Sequence, residues 1–247
     1  MTCELSGRTA LVTGGAKRLG AATALALGGA GANVVIHYHT SAREAEELLE
    51  QLRKLGVEAW AIKADLSASD ELGTLVERAY QIGGPLHILV NNASIFPSGD
   101  LAAVTRDDLH ESVDINAWAP FLIARDFAEK MGGGHIVNFL DTRIAGYDWP
   151  HVAYHASKTL LALFTRMMAI RFAPHISVNA VAPGLILPPE GKDQAYLESL
   201  KDGLPLKRVG SPKDVTDAVL FLVTSRFITG QVIFVDGGRH LREAQLG

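Results

Sequence analysis

Short apolar segments alternate with helical patterns along the whole chain. Each segment is rich in aliphatic or β-branched residues and ends near Gly, Asp or Asn, which is typical of a buried β-strand. The predicted strands cover residues 9–13, 33–37, 58–63, 87–91, 135–140, 177–182 and 231–235. Apolar strands that are separated by helices favour a parallel sheet covered on both faces. We therefore predict a single α/β domain over residues 1–247, with a seven-stranded, mainly parallel sheet and helices on both faces.

Helical patterns fill the intervals between these strands. We expect helices over residues 19–29, 69–82, 106–114, 116–131, 152–172 and 213–223, and another that begins after Ser41. Glu44 follows Ser41 by three residues, which is the spacing of a capping box. Ser211 and Pro212 have the preferences of an N-cap and a first helical residue. Asn116 is expected to open the helix over 116–131.

The segment over residues 185–208 differs from the other connections because it is long and rich in Pro and charged residues. Only residues 194–200 within it have a helical pattern. Long ordered loops in compact domains are commonly lids or binding loops. The sequence therefore predicts a substrate loop here.

Composition excludes several functional classes. The 247 residues carry 23 basic and 27 acidic side chains, so we expect no basic surface for duplex nucleic acid. Cys3 is the single cysteine, which excludes an intramolecular disulfide and a zinc site with several thiolates and favours a reducing compartment. The first residues lack a signal-peptide pattern, and no segment reaches about 18 continuous apolar residues. We expect a cytoplasmic protein with no metal and no membrane partner.

A glycine-rich turn follows the first strand, where residues 13–20 read Thr-Gly-Gly-Ala-Lys-Arg-Leu-Gly. Glycines at this position let the backbone approach a pyrophosphate, and the helix N-terminus supplies amide donors and a partial positive charge. A tight turn without a ligand is the alternative reading of such a motif. The strand before it and the helix after it favour dinucleotide binding.

The end of the second strand indicates which dinucleotide is bound. A site selective for NAD places Asp or Glu there, where it accepts a hydrogen bond from the ribose 2′-hydroxyl. Residues 37–41 read His-Tyr-His-Thr-Ser and contain no carboxylate. Positive charge or hydrogen-bond donors come instead from Lys17, Arg18, His39, Thr40 and Ser41. Each histidine taken alone fits a strand end or a turn better, so the prediction of NADPH depends on the group.

Tyr154 and Lys158 are four residues apart, so they share one face of the predicted helix. A neighbouring ammonium favours the phenolate and lowers the pKa of a tyrosine, which suits a proton donor. Most such pairs on a helix surface have no catalytic role. This pair follows a strand that ends in Asp141 and accompanies a nucleotide turn, and Asn116 opens an earlier helix. Together they predict one catalytic cleft.

These motifs, with Asn91-Asn92-Ala93, Pro183-Gly184 and Asp236-Gly237-Gly238, resemble the short-chain dehydrogenase/reductase family over essentially the whole chain. The resemblance implies a Rossmann-type, doubly wound domain. It also implies that the tyrosine is the general acid, the lysine holds the nicotinamide ribose and the asparagine supports a water-linked proton path. The catalytic residues are then Asp141, Tyr154, Lys158 and Asn116. The implied cofactor-binding residues are Gly14, Lys17, Arg18, Leu19, Gly20, His37, Tyr38, His39, Thr40, Ser41, Asp65, Leu66, Asn92, Ala93, Ser94, Tyr154, Lys158, Pro183, Gly184, Leu185 and Ile186.

Two departures from the common family pattern bear on the substrate. Arg18 replaces the middle glycine of the turn, and Asp141 replaces the serine usually found thirteen residues before the tyrosine. A serine there donates a hydrogen bond to a carbonyl oxygen, whereas an ionised aspartate has no proton to donate and repels developing negative charge. Simple ketone reduction is therefore less expected than reduction of an amine-rich heterocycle.

The pteridine reductase branch of the family, including bacterial dihydromonapterin reductases, resembles this chain in residues 17–20, 37–39, 92–96 and 184–187, in Asp141, and in the Asp-Gly-Gly-Arg-His-Leu-Arg run at 236–242. The resemblance implies that Phe96 stacks on a pterin opposite the nicotinamide. Its substrate-binding residues would be Arg18, Ser94, Phe96, Asp141, Tyr154 and Leu187. Thr40 stands where protozoal members carry an arginine for the 2′-phosphate, which weakens the expected selectivity for NADPH without reversing it.

The resulting expectation is an NADPH-dependent reductase of dihydromonapterin or dihydrobiopterin, with dihydrofolate as a further substrate, that works by hydride transfer with protonation by Tyr154 and Asp141. One alternative is a general carbonyl or 3-oxoacyl reductase. Another is a non-catalytic sensor that binds NADP(H), although sensors usually lose the Tyr-Lys pair. The family resemblance implies a homotetramer packed through the helices over 116–131 and 152–172.

Overall fold

The computed structural model describes residues 4–189 and 191–243. Cys3, on which the expectation of a reducing compartment depends, lies outside these residues. The strands are β1 (Thr9–Val12), β2 (Asn33–Tyr38), β3 (Ala59–Lys63), β4 (Ile88–Asn91), β5 (Gly134–Phe139), β6 (Ile176–Pro183) and β7 (Val232–Val235). They form one sheet in the order β3-β2-β1-β4-β5-β6-β7, and every neighbouring pair is parallel. The predicted seven-stranded parallel sheet is confirmed.

The helices of the described residues are α1 (Arg18–Gly29), α2 (Ala42–Lys54), α3 (Ser69–Gly83), α4 (Arg106–Val113), α5 (Ala119–Met131), α6 (Val152–Arg171), α7 (Gln194–Leu200), α8 (Pro212–Thr224) and α9 (Arg239–Glu243). Alternate residues of β2 point to opposite faces of the sheet. Val34 and Ile36 pack with residues of α1, α2 and α8, whereas Val35 packs with residues of α3, α5 and α6. Both faces are therefore covered, which explains why the strands lack polar alternation.

The strand order places a crevice at the carboxyl ends of β1 and β4, in the middle of the sheet. The chain runs outward from β1 through β2 to β3 and then returns to β4 on the other side of β1. The connections after β1 and β4 therefore diverge, and a ligand can enter between them at the carboxyl ends of the strands. The glycine turn follows β1, and residues 92–96 follow β4.

The two predicted caps differ in outcome. Ser211 forms a full capping box with Asp214, and Pro212 is the first residue of α8, as predicted. Ser41 occupies the N-cap position of α2, but its side chain makes no capping hydrogen bond. The Glu44 carboxylate forms an ion pair with Lys17 Nζ at 2.9 Å instead. The predicted capping box at Ser41 is wrong. The Glu44 carboxylate, which the box requires, is paired with Lys17 from the neighbouring turn.

Asn116 does not open a helix. It lies in a π-helical turn, Asp114–Trp118, which joins α4 to α5 without a break. The wider turn is one that α-helices adopt in single pieces, often at functional sites. The prediction of a separate helix starting at Asn116 is therefore wrong. In the part of the chain that the structure describes, no helix is long and apolar enough to cross a membrane.

The two serine caps allow a matched stability test. Ser211→Ala removes the Ser211 hydroxyl, which accepts from Asp214 N–H and donates to Asp214 Oδ2, so we expect the free energy of unfolding to fall by about 1 kcal/mol in urea denaturation. Ser41→Ala is the control because this side chain has no capping bond to lose. Equal losses in the two variants would contradict the assignment.

Candidate active site

The glycine turn packs too closely for side chains at two of its positions. Gly14 has a φ of +58°, and a Cβ atom placed on it would lie 2.9 Å from the Ala93 Cα atom. A Cβ atom on Gly20 would lie 2.1 Å from the Gly14 carbonyl oxygen. Neither position has room for a side chain. These residues therefore fit the pyrophosphate cradle of a dinucleotide, with the N-terminus of α1 beside it.

Asn92 fastens this turn to β4. Its side-chain amide donates to the carbonyl oxygens of Thr13 and Gly14, both at 3.0 Å. Thr13 Oγ1 accepts in return from the backbone N–H groups of Asn92 and Ala93. Asn92 was predicted to bind cofactor, and the structure places its amide group in the support beneath the turn.

His37 has a similar supporting position. Its side chain is buried, its Nδ1 atom accepts from Gly14 N–H at 3.1 Å, and its Nε2 atom lies 3.0 Å from the Ala64 carbonyl oxygen. Both ring nitrogens are therefore occupied, and burial lowers the pKa of His37. The side chain of His37 therefore supports the glycine turn, and binding of cofactor at His37 stays a prediction.

The polar groups predicted near the ribose are accessible. His39 and Thr40 are exposed, and Ser41 is half-buried. His39 Nε2 lies 3.7 Å from an Asp65 carboxylate oxygen. Glu44 adds a carboxylate to this region through its ion pair with Lys17, and the hydrogen bond from Lys17 lowers the pKa of Glu44. Sequence reasoning had assigned Glu44 to a cap and missed this pairing.

The remaining predicted cofactor residues surround the same crevice or support it. Leu19 and Tyr38 are partly buried against the core, and Leu66 and Ile186 are buried in it. Pro183 ends β6, and Gly184 N–H donates to the Val235 carbonyl oxygen. Leu185 and Leu187 then begin the predicted substrate loop.

Arg18 Nη2 donates to the Pro188 carbonyl oxygen at 2.7 Å. Arg18, with a positive φ of 52°, thus joins the glycine turn to this loop.

The phenol of Tyr154 lies directly beside the carboxylate of Asp141. Tyr154 Oη donates to Asp141 Oδ2 at 3.0 Å, and the tyrosine is 7% exposed. The buried Lys158 donates from Nζ to the Phe139 carbonyl oxygen at 2.8 Å, and Nζ lies 5.7 Å from the centre of the Tyr154 ring. The end of β5 and the first turns of α6 therefore bring the three predicted residues together.

The charges at this site differ from the sequence-based expectation. Burial raises the pKa of Tyr154 well above its usual value, and the Asp141 carboxylate raises it further. Burial lowers the pKa of Lys158 to about 8. The prediction that Lys158 lowers the pKa of the phenol is wrong, because burial and the neighbouring Asp141 carboxylate both raise this pKa. Tyr154 therefore holds its proton firmly at neutral pH.

Asn116 braces the segment after β4 against α6. Its Nδ2 atom donates to the Ile95 carbonyl oxygen at 3.0 Å and to Ser157 Oγ at 3.1 Å. Its Oδ1 atom accepts from Ser94 Oγ at 2.9 Å and from Ile95 N–H at 2.8 Å. The side chain is fully buried and its hydrogen-bonding capacity is used. Asn116 thus positions Ser94 and the helix of Tyr154.

Phe96 lies at the same site and is partly open to solvent. It is 43% exposed, stacks on His151 with ring centres 4.2 Å apart, and contacts Tyr154 edge-on at 4.6 Å. The Arg143 guanidinium lies over the ring, with Cζ 5.1 Å from its centre. A flat substrate on Phe96 would share the ring with these neighbours or displace one of them.

Arg143 and Asp148 are site residues that sequence reasoning missed. Arg143 Nη1 lies 2.9 Å from Asp141 Oδ2, and Arg143 Nε pairs with the Asp148 carboxylate. His151 Nδ1 lies 3.0 Å from the same Asp148 carboxylate. The clustering of opposite charges between Asp141 and His151 was the available signal.

The phenol–carboxylate pair predicts a titration result. Asp141→Asn removes the nearest negative charge, so we expect the pKa of Tyr154 to fall, with phenolate forming at lower pH than in the wild type. NMR of ring-labelled tyrosine measures this, and Tyr154→Phe identifies the resonance. Asp148→Asn is the control and should give a smaller shift in the same direction, because Asp148 contributes least of the contacts that raise this pKa. An unmoved resonance in Asp141→Asn would refute the coupling.

Comparison with known proteins agrees with this fold. A family model described as enoyl-(acyl carrier protein) reductase matches residues 14–240. The chain is 34% identical to a short-chain dehydrogenase/reductase of Pestalotiopsis microspora, over 95% of this chain and 96% of that protein. It is 36% identical to versicolorin reductase 1 of Aspergillus parasiticus, over 95% and 97% of the two chains.

Among solved structures, FolM alternative dihydrofolate reductase 1 from Brucella canis, complexed with NADP, superimposes with a TM-score of 0.89. It is 34% identical and the match covers 96% of each chain. Fold, family model and relatives agree over nearly the full length. The chain belongs to the short-chain dehydrogenase/reductase family.

Proposed function

We propose that this protein is an NADPH-dependent reductase of dihydropterins, with dihydromonapterin or dihydrobiopterin as substrate and dihydrofolate as a further one. The observation that carries the proposal is the carboxylate of Asp141, whose Oδ2 atom accepts a hydrogen bond from Tyr154 Oη at 3.0 Å. The family's common pattern has a serine donor at this position. Reduction with NADP(H), which is the activity of the family, does not depend on Asp141.

The cofactor is NADPH, and the crevice fits it. Gly14 and Gly20 have no room for side chains, as the backbone turn that cradles a pyrophosphate requires. Exposed His39 and Thr40 offer hydrogen-bond donors for a 2′-phosphate, and Lys17, which is paired with Glu44, adds a positive charge. The related FolM structure from Brucella canis is a complex with NADP. When bound, NADPH supplies the hydride for the reduction.

The substrate class follows from the charge of the site. A carboxylate cannot donate a hydrogen bond to a carbonyl oxygen, and it repels the negative charge that develops there. The same carboxylate accepts hydrogen bonds from the amino and ring N–H groups of a pterin. The partly exposed Phe96 ring lies beside it, and a pterin that stacks there would displace His151 or Arg143 or share the ring with them. Asp141, Ser94 and Phe96 then orient the ring, with Arg18 and Leu187 from the turn and the loop.

The chain's own residues control the proton. The raised pKa of Tyr154 keeps the phenol protonated, so it can donate to a ring nitrogen as that atom gains electron density. Asp141 holds the hydroxyl in place and gives a route for the proton's replacement through water. Positive charge on Arg143 stabilises the phenolate that remains. Asn116 keeps α6 and Ser94 in register with each other.

Reduction of a carbonyl compound is the second candidate. Versicolorin reductase 1 of Aspergillus parasiticus, at 36% identity, favours it, since its name denotes a different kind of substrate from a pterin. Asp141 argues against a simple ketone or a 3-oxoacyl substrate, because its carboxylate would face the developing oxyanion. A dinucleotide sensor without activity is less consistent with the intact Tyr154, Lys158 and Asp141 set.

A homotetramer packed through α5 and α6 is also part of the proposal. Leu163, Met167 and Ile170 lie at helical spacing on α6 and are 51%, 56% and 83% exposed. Trp118, at the start of α5, is also exposed and stacks on Phe121. A continuous apolar face of this kind is typical of an interface. Burying it against a second copy would remove that surface from water.

A substrate panel tests the function. We expect NADPH oxidation, followed by absorbance, with dihydromonapterin, dihydrobiopterin and dihydrofolate, and much slower oxidation with a β-keto ester. Tyr154→Phe should lower pterin turnover by roughly 10²- to 10⁴-fold, the usual size of acid–base catalysis. Faster turnover of the keto ester than of every pterin would establish the carbonyl reductase alternative. Full pterin turnover by Tyr154→Phe would remove the phenol from the mechanism.

Sedimentation equilibrium tests the assembly. Met167→Glu places a charge in the middle of the apolar face of α6, so we expect the wild-type tetramer to dissociate into smaller species. Leu55→Glu is the control, because Leu55 is 50% exposed at the end of α2, outside this face. A wild-type chain that sediments as a monomer would contradict the proposal.

A further inference from the structure

Arg143 holds the carboxylate of Asp141 in place. The Arg143 backbone N–H donates to Asp141 Oδ1 at 2.9 Å, and Arg143 Nη1 donates to Asp141 Oδ2 at 2.9 Å. One residue therefore fixes both oxygens of the carboxylate. The third donor to this carboxylate is the phenol of Tyr154. The plane of the carboxylate, and so its direction toward the phenol, is set by Arg143.

Arg143 is itself held from its other side. Its Nε atom pairs with Asp148, whose carboxylate is 8% exposed and also lies 3.0 Å from His151 Nδ1. The Arg143 side chain is 27% exposed, and its guanidinium packs over the Phe96 ring. Burial alone would lower the pKa of Arg143, but the carboxylates of Asp141 and Asp148 outweigh it and raise this pKa. The guanidinium is thus a permanent positive charge with little freedom to move.

The ion pair between Arg143 and Asp141 reduces the repulsion that an aspartate beside the Tyr154 phenol causes. A lone carboxylate at that position would oppose formation of the phenolate and of any other negative charge in the crevice. A guanidinium 2.9 Å away largely cancels that field while leaving the oxygen atoms available as acceptors. The ion pair thereby keeps the hydrogen-bonding property of Asp141 and reduces the repulsion it causes.

We propose that Arg143, held by Asp148, is a positioning residue that aims the Asp141 carboxylate at Tyr154 and neutralises it, so that an aspartate can replace the family's serine. The inference rests on the proposed reductase function, but it concerns any substrate that Tyr154 protonates. It assigns a role to a residue that touches the catalytic carboxylate and not the reacting atoms.

A double-mutant cycle tests the role. In the wild-type background, Arg143→Met leaves Asp141 without its counter-charge, so we expect kcat to fall roughly 10- to 100-fold with little change in the KM for NADPH. In the Asp141→Ser background there is no carboxylate to neutralise, and the same change should cost less than about 3-fold. Arg143→Lys retains the charge and should recover part of the lost kcat.

An arginine outside the site provides the control for this cycle. Arg53→Met removes an arginine that donates to the Ala59 carbonyl oxygen, far from Asp141 in the sheet, and should leave kcat unchanged. An equal loss from Arg143→Met in both backgrounds would overturn the proposal, because a residue with only a structural role acts whether or not Asp141 is present. Each variant is assayed with a dihydropterin and with a β-keto ester. If only the keto ester is reduced, the dihydropterin function fails while the cycle still reports on Arg143.

The titration of Tyr154 tests the role of Arg143 without substrate. Arg143 lowers the pKa of Tyr154, against the effect of the carboxylates. In NMR of ring-labelled tyrosine, Arg143→Met should therefore move the Tyr154 titration to higher pH than in the wild type, whereas Arg143→Lys should move it less. A titration that does not move in Arg143→Met would overturn the proposed charge compensation, whatever the substrate is.

Discussion

The hydrogen bond between Tyr154 and Asp141 depends on how β5 and α6 are joined. The chain leaves β5 at Phe139, whose carbonyl oxygen accepts from Lys158 Nζ, and two residues later Asp141 accepts from Tyr154 Oη. Two contacts therefore tie adjacent turns of α6 to the end of the strand. Because the sheet and α6 are both part of the buried core, the phenol has little freedom to leave the carboxylate.

The loops around the crevice are held by buried polar side chains. Asn92 and His37 support the glycine turn, and Asn116 links residues 94–95 to α6. A buried polar group that lost its partner would be costly, so each of these side chains specifies one arrangement of the loop it contacts. Neighbouring residues that are proposed to bind ligand can then be exposed and still be well placed.

The site carries a denser set of charges than a serine–tyrosine–lysine arrangement would. Asp141 and Asp148 bring two carboxylates, and Arg143 and Lys158 bring the compensating positive groups. The fold is shared with proteins named for quite different reductions, including versicolorin reductase 1 and an alternative dihydrofolate reductase. What distinguishes this chain is therefore the chemistry at the carboxyl ends of its strands and not the scaffold.

The sequence by itself determined the sheet, its helices and the principal site residues. Strand and helix are local patterns, and the glycines, Asp141, Tyr154 and Lys158 follow the strands at positions that a parallel sheet brings to one edge. It did not determine what each polar side chain contacts. His37 turned out to be a buried support, Glu44 bound Lys17, Asn116 lay in a π-helical turn, and the phenol met a carboxylate that raises its pKa. Only the tertiary structure decided these, because hydrogen bonds and pKa values depend on distances of a few ångströms between residues far apart in the chain.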